Sequence, residues 1–96
     1  MAREVVWTDP AWNDLEAAAD YIARDSAAYA AVFVQEVRDA VASLSEFADR
    51  GQIVPEFSDD TIRELLVAPY RVVYRVSSAR VAVLALVHGA TRIRRL

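Results

Sequence analysis

Three apolar runs, broken by no more than two residues at a time, fill most of the last third of the chain: TIRELLVA, YRVVYRVS and RVAVLALVH. Parallel neighbours need a crossover of about a dozen residues, so breaks this short allow only antiparallel pairing. The segment therefore reads as a three-stranded meander, with turns at Ala68-Pro69 and Ser78-Ala79. Side chains alternate across a sheet, which fixes the faces. Leu65, Val67, Val72, Tyr74, Val76, Val81, Val83 and Ala85 share an apolar face. Glu64, Leu66, Arg71, Val73, Arg75, Leu84, Leu86 and His88 share a mixed one. In this register Glu64 stands opposite Val73 and diagonal to Arg71 and Arg75, as a solvated surface ion-pair cluster.

Upstream the period changes. Residues 3–7 (REVVW) suit a short strand, and Thr8-Asp9-Pro10 combines a capping side chain, an acid and a proline where a helix begins. Trp12, Leu15, Ala19 and Ile22 then recur at helical spacing, with Asp14, Asp20 and Arg24 opposite. Ser26 caps a second helix over Ala27–Phe47, with a stripe of Phe33, Val37, Ala40, Val41 and Leu44. The short break at Arg24-Asp25-Ser26 predicts an antiparallel helical hairpin. Ala48–Asp60 is a loop marked by Gly51, Pro55 and Asp59-Asp60. The fold class expected is α+β: an N-terminal strand, a helical hairpin, then the antiparallel meander, as one domain over 1–96 with a mainly antiparallel sheet of about four strands. Its core is expected at Leu15, Ile22, Phe33, Val37, Leu44, Leu65, Val72, Tyr74 and Val83.

Two helices cover only one face of such a sheet. The chain has 96 residues, 55% of them hydrophobic, and a domain of this size buries only roughly 60–65% of its unfolded surface. Leu66, Val73, Leu84 and Leu86 on the second face thus call for a cover. A partner protein, a second copy or a returning C-terminal tail would each serve.

With no cysteine, disulfides, thiolate metal sites and thiol nucleophiles are excluded. No metal cluster or phosphate-cradling glycine loop is visible, and no cofactor is expected. The N-terminus lacks the apolar core of a signal peptide and no run is long enough to span a bilayer, so a cytoplasmic location is expected without a membrane partner. All eleven basic side chains are arginine, and net charge is −3, which argues against nucleic-acid binding by bulk charge. Seven of those arginines and His88 follow position 62, against one acid, Glu64. The C-terminal third is a basic half-domain, either functional or simply balanced by the acidic half.

RELLVAPYRVVYRV (63–76) and VLALVHG (83–89), within this order of elements, resemble the ParE/RelE superfamily of toxins from type II toxin–antitoxin, or plasmid-stabilisation, systems. The resemblance spans essentially the whole chain. It implies a cognate antitoxin of the ParD/RelB kind, and one of two targets. ParE-like members poison DNA gyrase without a known catalytic set of their own. RelE-like members cut mRNA on the ribosome with lysines, arginines and a C-terminal tyrosine. Arg71 matches the motif arginine, but Ile62 and Glu64 stand at the lysine positions and the tail ATRIRRL has no tyrosine. A nuclease subgroup using Glu, Arg and His would map onto Glu56, Arg71 and His88, again without the tyrosine. These departures favour the gyrase-type reading, with no catalytic residues, over the ribosome-dependent nuclease. Target contact is expected from Arg71, Arg75, His88, Arg92, Arg94 and Arg95. Antitoxin contact is expected at Leu66, Val73, Leu84 and Leu86, with acids meeting Arg71 and Arg75, or on the outer helical face near Trp12 and Tyr29.

Overall fold

The computed structural model describes residues 2–96. Strand β1 (Glu4–Trp7) leads into α1 (Asp9–Ala23) and α2 (Ala27–Ala42), followed by β2 (Gln52–Ile53), β3 (Ile62–Val67), β4 (Tyr70–Val76) and β5 (Arg80–His88). The sheet order is β1-β5-β4-β3-β2. The meander β3-β4-β5 is antiparallel as expected, whereas β1 runs parallel to β5. The sheet is thus mixed and five-stranded. The fifth strand is the two-residue β2, pairing Gln52 with Glu64 and Ile53 with Arg63. It lies inside the expected loop, too short to carry an alternation.

The helix starts form as their caps dictate. The Thr8 hydroxyl accepts from the Ala11 amide at 3.3 Å, and Ser26 accepts from the Tyr29 amide at 3.0 Å. The second helix stops at Ala42, short of Phe47, where the chain tightens into 3-10 turns at Ser43–Ser45 and Ala48–Arg50. The buried stripe of α1 is also rotated by one residue from the expected one. Ala11, Leu15 and Ala18 are buried, while Trp12 is 40% exposed and packs edge-on against Trp7 at 5.5 Å. Alanines on that stripe let the helix sit close to the sheet.

The main core joins Leu15, Phe33, Val37, Val41 and Leu44 from the helical side to Leu65, Val67, Val72, Tyr74, Val81 and Val83 from the sheet. All of the expected core is there, with Ile22 half-buried at its margin. Tyr74 is fully buried, and its hydroxyl donates to the Ala48 carbonyl and accepts from the Gly51 amide, both at 2.9 Å. Burial raises its pKa, because the phenolate would lose its hydration. A Cβ at position 51 would overlap the Tyr74 Oη and the Glu64 carbonyl, so glycine is required there by close approach.

One irregularity changes the faces. Val73 pairs with Ala85 and Tyr74 with Val83, leaving Leu84 as the extra residue of a β-bulge. Beyond a bulge the alternation is reversed. Ala85 therefore leaves the helix side for the second face, and Leu86 turns inward to the main core. At the same place β1 has ended, and Asp14 of α1 accepts from the free Leu86 amide at 3.1 Å. Asp14 is thus partly buried against the sheet edge instead of facing solvent.

Candidate functional site

The second sheet face is closed by the chain itself. Val54, fully buried, comes down from the segment after β2, and Ile93, 6% exposed, returns from the tail. They pack with Ile62, Val73 and Ala85 into a small second core, flanked by Phe57 and Val87. Of the four aliphatics expected to need a partner, Val73 and Leu86 are buried, Leu84 is half-buried and Leu66 alone stands out, at 72% exposure. A returning tail is the cover that forms, helped by the bulge that removes Leu86 from this face.

Arg71 ties this closure together. It projects from β4 onto the second face with a side chain only 9% exposed. Its Nη1 and Nη2 donate to Glu56 as a two-pronged pair at 2.8 and 2.7 Å. Its Nε donates to Glu64 at 2.8 Å, and Nη2 also faces the same carboxylate oxygen. Nη1 further donates to the Thr91 carbonyl at 3.1 Å. Glu56 then accepts from the Ile93 amide at 3.0 Å, and Gln52 donates its amide to Glu64 at 2.8 Å. Each of the three guanidinium nitrogens has a hydrogen-bond partner, as a buried arginine requires. The expected solvated Glu64–Arg71 pair is instead a buried one, joined by an acid from a distant loop.

The electrostatics follow from this contact list. The Arg71 hydrogen bonds, then that of the Ile93 amide, hold the Glu56 carboxyl down at about 2 against the opposing effect of burial. The Arg71 guanidinium is pushed above its ordinary value, mainly by Glu56, against desolvation. A carboxylate held so acidic is a poor proton acceptor at neutral pH. A guanidinium whose three nitrogens are all bonded within the chain offers no free fork to a phosphate or to a partner's carboxylate.

Glu56 and Arg71 therefore meet, as the three-residue nuclease pattern requires, but His88 stands elsewhere. The bulge sends it toward the helices, where it packs edge-on against Tyr70 at 5.7 Å. It borders a cleft of about 400 Å³ with Tyr21, Ile22, Tyr29, Phe33 and Pro69. Glu56, Arg71 and Thr91 border a separate groove of about 500 Å³, together with Gln52, Leu66 and Arg92. Arg75, Arg92, Arg94 and Arg95 are exposed. Trp12, at 40%, and Tyr29, at 56%, are exposed on the helices, as are Tyr21 and Val32. Sequence reasoning missed Gln52, Thr91 and Ile93 as members of the cluster. The one available signal was VPEF, an acid between a turn-forming proline and a large apolar residue. Among the described residues, no group of acids and histidine could hold a metal ion, and no helix is long and apolar enough to cross a membrane.

The chain thus packs a helical hairpin on one face of a mixed sheet, with strand β1 beside β5. The architecture recurs in the chromosomal ParDE TA system from P. aeruginosa, with TM-score 0.74 and 26% identity over 91% of this chain and 96% of that one. The toxin–antitoxin complex RelBE2 from Mycobacterium tuberculosis shares the fold, with TM-score 0.61 and 21% identity over 92% and 99% of the two chains. Toxin RelE2 of Caulobacter vibrioides is 35% identical over 88 residues, covering 91% of this chain and 96% of its own. Residues 5–93 match the family described as ParE toxin of type II toxin-antitoxin system, parDE. The chain belongs to this ParE toxin family.

Proposed function

We propose that the chain is the toxin of a type II toxin–antitoxin pair, that it inhibits DNA gyrase, and that a cognate antitoxin neutralises it by direct binding. The observation that carries the choice of target is the closed state of Arg71. Ribonuclease chemistry needs a base for the 2′-hydroxyl and a cation for the charge that develops on phosphorus. Here Glu56 and Arg71 are spent on each other and on the tail, His88 borders a different cleft, and the tail has no tyrosine. Target contact then rests on the exposed arginines Arg75, Arg92, Arg94 and Arg95. The family match and the likeness to a ParDE system support the same reading.

The ribosome-dependent nuclease is the second reading, favoured by one contact: Glu56 and Arg71 are direct neighbours. Two assays separate the readings. Purified toxin should block supercoiling by purified gyrase, and primer extension on cellular mRNA after induction should show no new cleavage sites. Ribosome-dependent cuts with unaffected supercoiling would reverse the assignment. The antitoxin should lay an amphipathic segment over the outer helical surface near Trp12 and Tyr29, since that surface, unlike Val73 and Leu86, keeps large apolar groups in water. Trp12→Ala combined with Tyr29→Ala should weaken capture of the antitoxin by at least tenfold and leave growth arrest intact. Unchanged capture would move the interface elsewhere.

A further inference from the structure

The structure assigns Glu56, Arg71 and Glu64 a positioning role: they form a buried ionic clamp that holds the C-terminal tail in place and presents its arginines as a preformed basic edge. Arg71 grips the tail from both directions. It binds the Thr91 carbonyl directly, and through Glu56 it fixes the Ile93 amide two residues on. The Ile93 side chain, sunk beside Val54 and Val73, is a third anchor, apolar and independent of the other two. Arg92 and Arg94, on either side of Ile93, are exposed, as is Arg95. A free tail would spread those charges over many conformations. A tail anchored at 91 and 93 holds them against the sheet, so less ordering entropy remains to be lost when a partner binds.

The two glutamates explain why a single arginine suffices. Glu64 comes from β3, diagonal to Arg71 in the sheet, and binds its Nε on the second face. Glu56 comes from the roof segment and closes over it. Loop and tail therefore share one fastener and are held or released together. The edge so presented fits a protein surface of clustered carboxylates, because arginine pairs with carboxylates through two parallel hydrogen bonds, and the chain's overall net charge of −3 opposes tight binding to a polyanion such as duplex DNA.

The inference rests on the tail arginines as target contacts, and the experiment keeps the two claims apart. The full-length chain is compared with Glu56→Ala, which leaves Arg71 paired with Glu64, and with Ile93→Ala, which leaves the ionic cluster whole. Trypsin cleavage after Arg92 and exchange of the residue-93 amide should each become at least tenfold faster in Glu56→Ala and change less in Ile93→Ala, where the ionic cluster still holds the tail backbone. The Val72 and Tyr74 amides should stay protected, which a general loss of structure would not allow. If Glu56→Ala unfolds, Glu56→Gln, which keeps the shape and removes the charge, decides in its place. Unchanged cleavage and exchange in the Glu56 variants overturn the clamp. A released tail with undiminished growth arrest overturns its part in presenting the arginines. In that event Arg92→Ala, Arg94→Ala and Arg95→Ala combined tells whether the tail contacts the target at all. Tight binding of duplex DNA by the clamped chain at physiological salt overturns the choice of an acidic protein surface.

Discussion

On the helix side of the sheet, Leu65, Val72, Tyr74 and Val83 meet Leu15, Phe33, Val37 and Leu44 across a wide apolar interface built by regular elements. On the opposite side, Val73 and Ala85 are roofed by Val54 and Ile93, single residues from segments without helix or strand, and the roof is fastened by one guanidinium between two carboxylates. The first closure draws on many weak, non-directional contacts, so losing one costs a fraction of the whole. The second draws on a few directional ones between buried charges, where losing one leaves a charge without its partner. The two faces should therefore fail differently when damaged.

The largest expected effect is at Arg71. Arg71→Glu would set three carboxylates together in a buried site. Breaking a buried pair by removing one partner costs about 3–5 kcal/mol, and a new like charge adds to that. The variant should be largely unfolded at 25 °C by circular dichroism. If the site behaved as solvated surface, the variant would melt beside the parent, and the contrast between the faces would collapse. Leu44→Ala, on the helix side, should follow at about 3 kcal/mol from lost burial and the cavity left behind. In a domain this small, that is a fall in melting temperature of roughly 12–20 °C. Gly51→Ala should cost about 2 kcal/mol by overpacking, since the added methyl meets the Tyr74 hydroxyl and a backbone carbonyl that cannot yield freely. A melting temperature within a degree or two of the parent would show that the β2 edge adjusts.

The same contrast explains what could be read in advance. Periodic signals gave the helix side: Thr8 and Ser26 as caps, the turns at Ala68-Pro69 and Ser78-Ala79, and the inward residues from Leu65 to Val83. They failed wherever a single residue broke the period. Leu84 carries no mark of a bulge, and without it Ala85 and Leu86 are placed on the wrong faces. Trp12 took the inward position on hydrophobicity, although the close packing of α1 on the sheet favours the smaller Ala11. The clamp was hardest to see. Arg71 and Glu64 are neighbours across two strands, and their approach was legible from register. Glu56 and Thr91 reach them from irregular segments 15 and 20 residues away, and no periodic rule predicts where an irregular segment crosses a sheet. An arginine that looked free for a ligand was thus already bound within its own chain.

The smallest expected effect is also the most selective, because it acts on one face alone. Glu56 is ionised in the fold down to a pH of about 2, whereas in the unfolded chain it takes up its proton near 4.5, its ordinary value. A carboxyl whose folded pKa is lowered adds stability in full above its unfolded pKa and loses it progressively as pH falls toward the folded value. Between about pH 5 and pH 2 the fastening of the roof should weaken. The Tyr74 phenol, whose pKa is raised, stays neutral throughout that range and contributes no such loss. Acidification should thus speed exchange of the Ile93 amide, which Glu56 accepts, before that of Val72 or Tyr74 in the main core. Exchange measured at pH 6 and pH 3.5, corrected for the intrinsic rate at each pH, tests the order. In Glu56→Gln, where the carboxylate that accepts from the Ile93 amide is gone, the tail's own acid dependence should largely vanish. Exchange that rises together at Ile93, Val72 and Tyr74 would mean that the two faces open as one unit, and that the clamp is part of the global core instead of a separate fastener.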